Sequence, residues 1–259
     1  MSKRSVQPDF YVYVDTVVFT INQARSLEAQ DRLEVLVMKR PGVRDGRWAL
    51  PGGLVGDGEA LEETALRKVT EETGLRLNKR DLHQVAAYGN PNRDDRWRAI
   101  AVAYLVLVPH PGELGPELNS EDAKFMRYRD LRGRNMLEFD HRDIIEDARK
   151  MATKMLEDTS IAIGFCRPKF TISELRGVYE AFFQSEVDPA NFRRKVEKVP
   201  GFVEALDEYA DFGSSPGRPP QMYRAGLASR TRSELSVPIR FRLSDTPTTD
   251  RPRRGKPKR

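Results

Sequence analysis

Cysteine is almost absent from this chain: Cys166 stands alone among 259 residues. No internal disulfide can form, and a reducing cytoplasm is the expected compartment. Histidine is nearly as scarce. His83, His110 and His141 show no metal-ligand spacing and read as incidental. Tryptophan is limited to Trp48 and Trp97, each as suited to packing as to stacking. No apolar run approaches the ~20 residues that span a bilayer, so a membrane is not an expected partner. The opening residues Met1 to Pro8 lack the apolar core of a secretory signal.

What is present is charge. Charged residues make up 32% of the chain against 39% apolar, enough for a buried core plus some exposed sequence. The net charge of +5 is unevenly spread. Residues 161–259 hold 19 Lys and Arg against 12 Asp and Glu, whereas residues 1–160 hold 25 against 27. A basic second half hints at a polyanionic partner. The last nine residues alone supply six of those positive charges, so the argument needs motifs to support it.

Strands are expected over Phe10–Ile21, Leu33–Met38 and Ala99–Val108, with a short one from Trp48 into the Pro51-Gly52-Gly53 turn. Glu59 to Thr73 has helical periodicity, with Leu61, Ala65, Leu66 and Val69 on one side, and Gly74 stands where a C′ glycine belongs. Asp140–Leu156 reads as an amphipathic helix that closes the first domain or bridges to the next. Beyond Ser160 the chain changes character. A helix is expected over Phe170–Phe183, capped by Thr171 or Ser173. A second begins at Asp188-Pro189 and breaks at Pro200-Gly201. A loop over Gly213–Pro220 leads to a short extended return at Gln221–Arg224, and the sequence from about Ser229 reads as disordered. The implied domains are 1–157, 158–228 and a basic tail, 229–259.

The most informative stretch runs from Gly53 through Glu59 to Arg67-Lys68-Val69, Glu71-Glu72 and Gly74-Leu75. It fits G-x5-E-x7-R-E-U-x-E-E-x-G-U, with U aliphatic, at eight of nine defined positions. On a helix, positions 68, 71 and 72 share one face. Three carboxylates there would hold a hard divalent cation such as Mg²⁺ and activate water against a pyrophosphate. Lys68 occupies the first of those positions. An ammonium in place of a carboxylate swings the local charge by two and pairs with Glu71 or Glu72. Much reduced metal affinity and weak or absent hydrolysis are the expectation, unless Glu62, Glu63 or Glu113 restores a site. Residual metal binding would fall to Glu71 and Glu72.

This stretch resembles the box of the Nudix hydrolases, and the resemblance implies an α/β Nudix fold, a mixed sheet between helices. It further implies that Arg67 orients a catalytic carboxylate and that Gly53 and Glu59 shape the loop entering the helix. Arg93-Asp94-Asp95-Arg96 resembles an element of ADP-ribose-handling Nudix domains. Ligand candidates are therefore Arg40, Arg47, Gly52, Gly53, Arg93 and Arg96.

In the second half, two helices, a short turn and a Gly/Pro/Arg loop match a helix-turn-helix with a wing. The second helix carries Asn191, Arg193, Arg194, Lys195 and Lys198; Asn and Arg suit base edges, and Lys suits phosphates. Phe192, Val196 and Val199 would pack it down. Thr171, Ser173, Arg218 and Arg224 complete the set of DNA-binding candidates. The order of parts, with Asn191-Phe-Arg-Arg-Lys195 and Gly217-Arg-Pro219, resembles Nudix-related transcriptional regulators of the NrtR type over roughly residues 10–226. That resemblance implies a homodimer on palindromic operator DNA, repression of NAD-metabolism genes and release by an ADP-ribose-type effector. No cofactor is required on this reading, and Mg²⁺ enters only if residual hydrolysis survives. Two alternatives remain open. One is an active Mg²⁺-dependent ADP-ribose or nucleoside-diphosphate pyrophosphatase with a C-terminal interaction domain. The other is a regulator that senses a different sugar metabolite.

Overall fold

The computed structural model describes residues 10–24, 26–39, 47–111, 122–133, 135–210, 219–231, 235 and 238–241. Arg40, Glu113, Arg218 and most of the basic tail lie outside them. The chain divides into two compact units, the first ending at Met155 and the second beginning at Leu156.

The first unit is built on β1 (Tyr11–Ile21), whose last eight residues are all buried. Strands covered on both faces read as continuous apolar runs rather than alternating ones, and β1 has that character because it is central. It pairs in parallel with β5 (Ala99–Leu107) and antiparallel with β2 (Leu33–Met38) and β3 (Gly52–Leu54). The sheet is completed by β4 (His83–Tyr88) beside β5 and β6 (Ala123–Arg127) beside β2. It is therefore mixed, in the order β4-β5-β1-β2-β6 with β3 on β1. Helix α1 (Leu61–Thr73) lays Ala65 and Val69 on this sheet. Val69 joins Val18, Leu36, Leu75 and Val106 in one buried cluster, and Ala65 joins Val14, Val102 and Tyr104 in another. Gly74 ends the helix at φ 68°, a left-handed conformation that glycine adopts without steric cost.

The helix starts two residues later than the periodicity suggests. Glu59 is drawn into the preceding loop, where its Oε2 accepts from Gly56 N at 3.0 Å and Thr64 Oγ1 at 2.7 Å. The expected strand at Trp48 is reduced to isolated bridges, Trp48 with Leu137 and Ala49 with Met38. Pro51 has no N–H to extend a ladder. After the single turn α2 (Tyr128–Leu131) comes α3 (His141–Asp158), which is continuous across the boundary between the units. No helix among the described residues is long and apolar enough to cross a membrane.

The second unit opens with a 3-10 segment, Ser160–Phe165, and the two-residue strand β7 (Phe170–Thr171). Helix α4 (Ile172–Phe183) starts on a reciprocal cap: Thr171 Oγ1 accepts from Glu174 N, and Glu174 Oε2 accepts from Thr171 N. The turn after it is pinned by a buried carboxylate. Glu180 Oε1 accepts from Val187 N at 2.9 Å and from Arg176 Nη1 at 2.7 Å. Helix α5 (Pro189–Lys198) then begins with Asp188 capping Asn191 N and proline at the first helical position. Strands β8 (Val203–Tyr209) and β9 (Gln221–Ala225) follow, giving a small sheet in the order β7-β9-β8. Two helices joined by a tight turn and followed by a β-ribbon make a winged helix.

The sequence pattern does not reveal β4 or β6, and Phe170–Thr171 is a short strand rather than the first turn of a helix. β8 was not foreseen, since Glu204, Asp207 and Glu208 leave this edge strand without a clean apolar alternation. Nor is everything beyond Ser229 disordered. A 3-10 turn covers Leu227–Thr231, and Leu235 and Ile239 are buried against the second unit. Those two apolar positions sit in so polar a stretch that composition alone conceals them.

Candidate functional site

The box residues converge where β3 meets α1. Arg67 grips Glu59 with two hydrogen bonds of 2.6 Å and reaches Glu71 at 3.2 Å. This charge-assisted fork, with Thr64, holds the Glu59 carboxyl down at about 2. Glu72 Oε2 accepts from Gly52 N at 2.8 Å, fastening the loop to the helix. Lys68 Nζ lies 3.0 Å from Glu71 Oε2. Its stem runs so close over Gly53 that a β-carbon there would come within 2.7 Å of Cε. Gly53 therefore makes room for the lysine side chain. The Lys68 ammonium holds the Glu71 carboxyl below the usual carboxylate range, with Arg67 adding to the effect.

These donors do not suit a divalent cation. A lysine supplies hydrogens where an oxygen ligand is needed. Glu71 is shared between two cations, and Glu72 is engaged by a backbone amide. Among the described residues no three Asp, Glu, His or Cys side chains form a group that could hold a metal.

A second cluster lies beside Asp15 of β1. Tyr13, Asp15, Arg93, Asp94, Arg96, Phe139 and His141 line a narrow surface cleft. Arg93 is 5% exposed and bonds Asp140 through Nε and Nη2, at 3.0 and 2.7 Å, and Asp15 at 3.3 Å. Arg96 forks onto Asp94 at 2.9 and 2.8 Å and lies over the rings of Trp97 and Phe139, at 4.7 and 5.5 Å. His141 Nδ1 accepts from Leu50 N at 3.0 Å, so the proton of a neutral ring is on Nε2, 3.6 Å from Asp15. The structure thus brings Arg93 and Arg96 together in one cleft wall. Arg47 is elsewhere, against Glu138 at 3.5 Å and Asn135. Trp48 is a core residue at 7% exposure, whereas Trp97 is 42% exposed.

Sequence reasoning missed Asp15, Asp140 and His141. Asp15 did leave a signal, as the lone charged residue of β1. His141 left none, and its apparent isolation was misleading: it is buried and hydrogen-bonded in the cleft.

In the second unit, Thr171, Ser173 and Arg193 line one cleft with Pro189, Gln221 and Tyr223. Arg194 is exposed, and its Nη2 bonds Asn191 Oδ1 at 2.8 Å, so this pair forms one polar surface. Lys198 is also exposed. Arg193 is tied to Glu197 at 2.9 Å and to the Tyr223 hydroxyl at 3.2 Å, and Arg224 forks onto Glu204 across the wing. Lys195 points elsewhere, onto the Arg240 carbonyl and over the Phe241 ring.

A degenerate pyrophosphohydrolase box on one unit and a winged helix on the other define a Nudix domain joined to a DNA-binding module. The NUDIX domain family matches residues 21–148, and the NrtR DNA-binding winged helix domain matches residues 164–225. The chain is 29% identical over 228 residues to the ADPR-responsive transcriptional repressor NtrR of Acinetobacter baylyi, covering 87% of this chain and 86% of that one. It resembles the crystal structure of Shewanella oneidensis NrtR complexed with a 27mer DNA, at 25% identity and TM-score 0.62, over 88% of this chain and 99% of that one. An ADP-ribose pyrophosphatase of Methanocaldococcus jannaschii is 35% identical over 119 residues, 46% of this chain and 66% of that one. The chain belongs to the Nudix-related transcriptional regulators of the NrtR type.

Proposed function

We propose that this protein is a transcriptional repressor that senses ADP-ribose, or a closely related nucleotide sugar, in its Nudix domain and binds operator DNA through its winged helix. The observation that carries the reading is Lys68. A Nudix cleft that keeps its fold while an ammonium occupies the metal position is suited to holding a pyrophosphate without cleaving it. Lys68 and Arg67 offset the Glu71 carboxylate, which lowers the repulsion a pyrophosphate would meet on this face without a metal. Arg93 and Arg96 shape the wall of the adjoining cleft.

On the DNA side, α5 presents Asn191 and Arg194 to base edges and Lys198 to phosphates. A homodimer would place two such helices in successive major grooves, about 34–36 Å apart, which matches a palindromic operator. Genes of NAD metabolism are the expected targets, and the cytoplasm is the expected place of action. Ligand acts by its differential affinity for the DNA-competent and DNA-incompetent states. Helix α3 starts at His141, beside Arg93 and Arg96, and continues into the winged-helix unit, which supports it as the transmitter.

Likeness to a pyrophosphatase favours a second reading, an active enzyme. Calorimetric titration with ADP-ribose in excess chelator separates the two. Binding that persists without divalent cation, with the nucleotide recovered intact, supports the sensor. Cleavage restored by Mg²⁺ supports the enzyme.

A further inference from the structure

The winged-helix family match ends at Ala225, yet the chain continues to contribute to the second unit after it. The carbonyls of a helix's last turn have no partners within the helix. At the end of α3 two of them are met from outside: Glu157 O accepts from Ile239 N at 2.8 Å, and Asp158 O accepts from Leu235 N at 2.9 Å. Arg240 adds an ion pair to the Asp158 carboxylate at 3.2 Å. One residue later Phe241 reaches α4 and α5. Its ring stacks on Phe192 at 5.5 Å and 14°, and meets Tyr179 and Phe183 edge-on at 6.0 and 5.7 Å. From α5, Lys195 donates to the Arg240 carbonyl and lies 4.6 Å over the Phe241 ring.

We propose that Leu235 and residues 238–241 act as a strap that fixes the recognition helix to the end of α3, with Phe241 and Lys195 as positioning residues rather than DNA contacts. The inference rests on the DNA-binding reading given above. Its physical basis is a division of labour along α5. Asn191, Arg194 and Lys198 are free to meet DNA, whereas the Lys195 ammonium is committed to a carbonyl and an aromatic face. The strap carries both the end of α3 and the flank of α5, so a shift of one is felt by the other. In this way a ligand that moves α3 would reach the reading surface.

The test uses the full chain and operator DNA over a range of salt concentrations, with Lys195→Met, Phe241→Ala and Phe241→Tyr. Losing one phosphate contact lowers the slope of log affinity against log salt by about 0.9. The strap predicts an unchanged slope for Lys195→Met. For Phe241→Ala it predicts at least ~tenfold weaker binding and a melting temperature lower by about 5 °C. Phe241→Tyr restores both. A slope reduced by about one in Lys195→Met overturns the proposal. So does a Phe241→Ala chain that binds and melts like the unaltered protein. If the unaltered chain binds no operator, the DNA-binding reading falls separately. Melting then decides the strap: a loss in Phe241→Ala reversed in Phe241→Tyr upholds it, and equal melting rejects it.

Discussion

Lys68 Nζ sits 3.0 Å from Oε2 of Glu71, one helical turn along α1, while its stem crosses Gly53. The protein's own cation thereby occupies the face on which a Nudix enzyme gathers carboxylates around a metal. Hydrolysis should be recoverable by reversing that one charge.

Lys68→Glu removes the ammonium and returns an oxygen ligand beside Glu71 and Glu72. The expected outcome is Mg²⁺-dependent cleavage of ADP-ribose at least ~tenfold above the unaltered protein, because metal binding and activation of water both depend on that carboxylate. An assay for AMP checks it. Cleavage by the unaltered chain at the level of Lys68→Glu would show that Lys68 does not silence the site.

Arg93→Ala leaves Asp15 buried and Asp140 partly buried without their shared cation. Removing one partner of a buried ion pair costs roughly 3–5 kcal/mol. The loss should appear in chemical denaturation of the Nudix unit. Arg93→Lys should recover only part of it, since an ammonium cannot reproduce the fork onto Asp140. Full stability in Arg93→Ala would mean that the cleft wall does not depend on this residue.

Glu59 supplies a pH dependence whose sign is fixed. Its folded pKa is depressed from 4.5 to about 2 by Arg67 and Thr64, so the native state binds the proton less readily than the unfolded chain. Its stabilising contribution is complete above about pH 4.5 and is lost as pH falls toward 2. Melting curves across that window should show Glu59→Gln losing less stability on acidification than the unaltered chain. Parallel curves would contradict the Arg67 assignment.

Much of this was readable from sequence because the relevant spacings are short. The box places Arg67, Lys68, Glu71 and Glu72 within two turns of one helix, and helical geometry fixes which of them meet. Asp188-Pro189 and Thr171 marked the starts of α5 and α4 for the same local reason. The cleft was not readable. Arg93 meets Asp15 across 78 positions and Asp140 across 47, and only the folded domain brings strand, loop and helix start together. The strap was hidden likewise, since Phe241 finds Phe192 through tertiary packing inside a stretch whose composition resembles a solvated tail.

Arg194 is the side chain whose loss should weaken operator binding most directly. It is exposed beside Asn191 and bonds to that residue at 2.8 Å. Arg194→Ala is expected to cost about 1–3 kcal/mol of specific binding and to relax sequence preference at one position in each half-site. Competition with mutated operators reads this out. A uniform loss across sequences would make Arg194 a phosphate contact instead.

Intact ADP-ribose is expected to release this protein from DNA. The most direct test titrates ADP-ribose into the preformed complex with a palindromic operator, following DNA release and nucleotide integrity together. Release at saturating ligand, with the nucleotide recovered uncleaved, is the expected result. Cleavage to AMP, or a complex indifferent to the ligand, would contradict it.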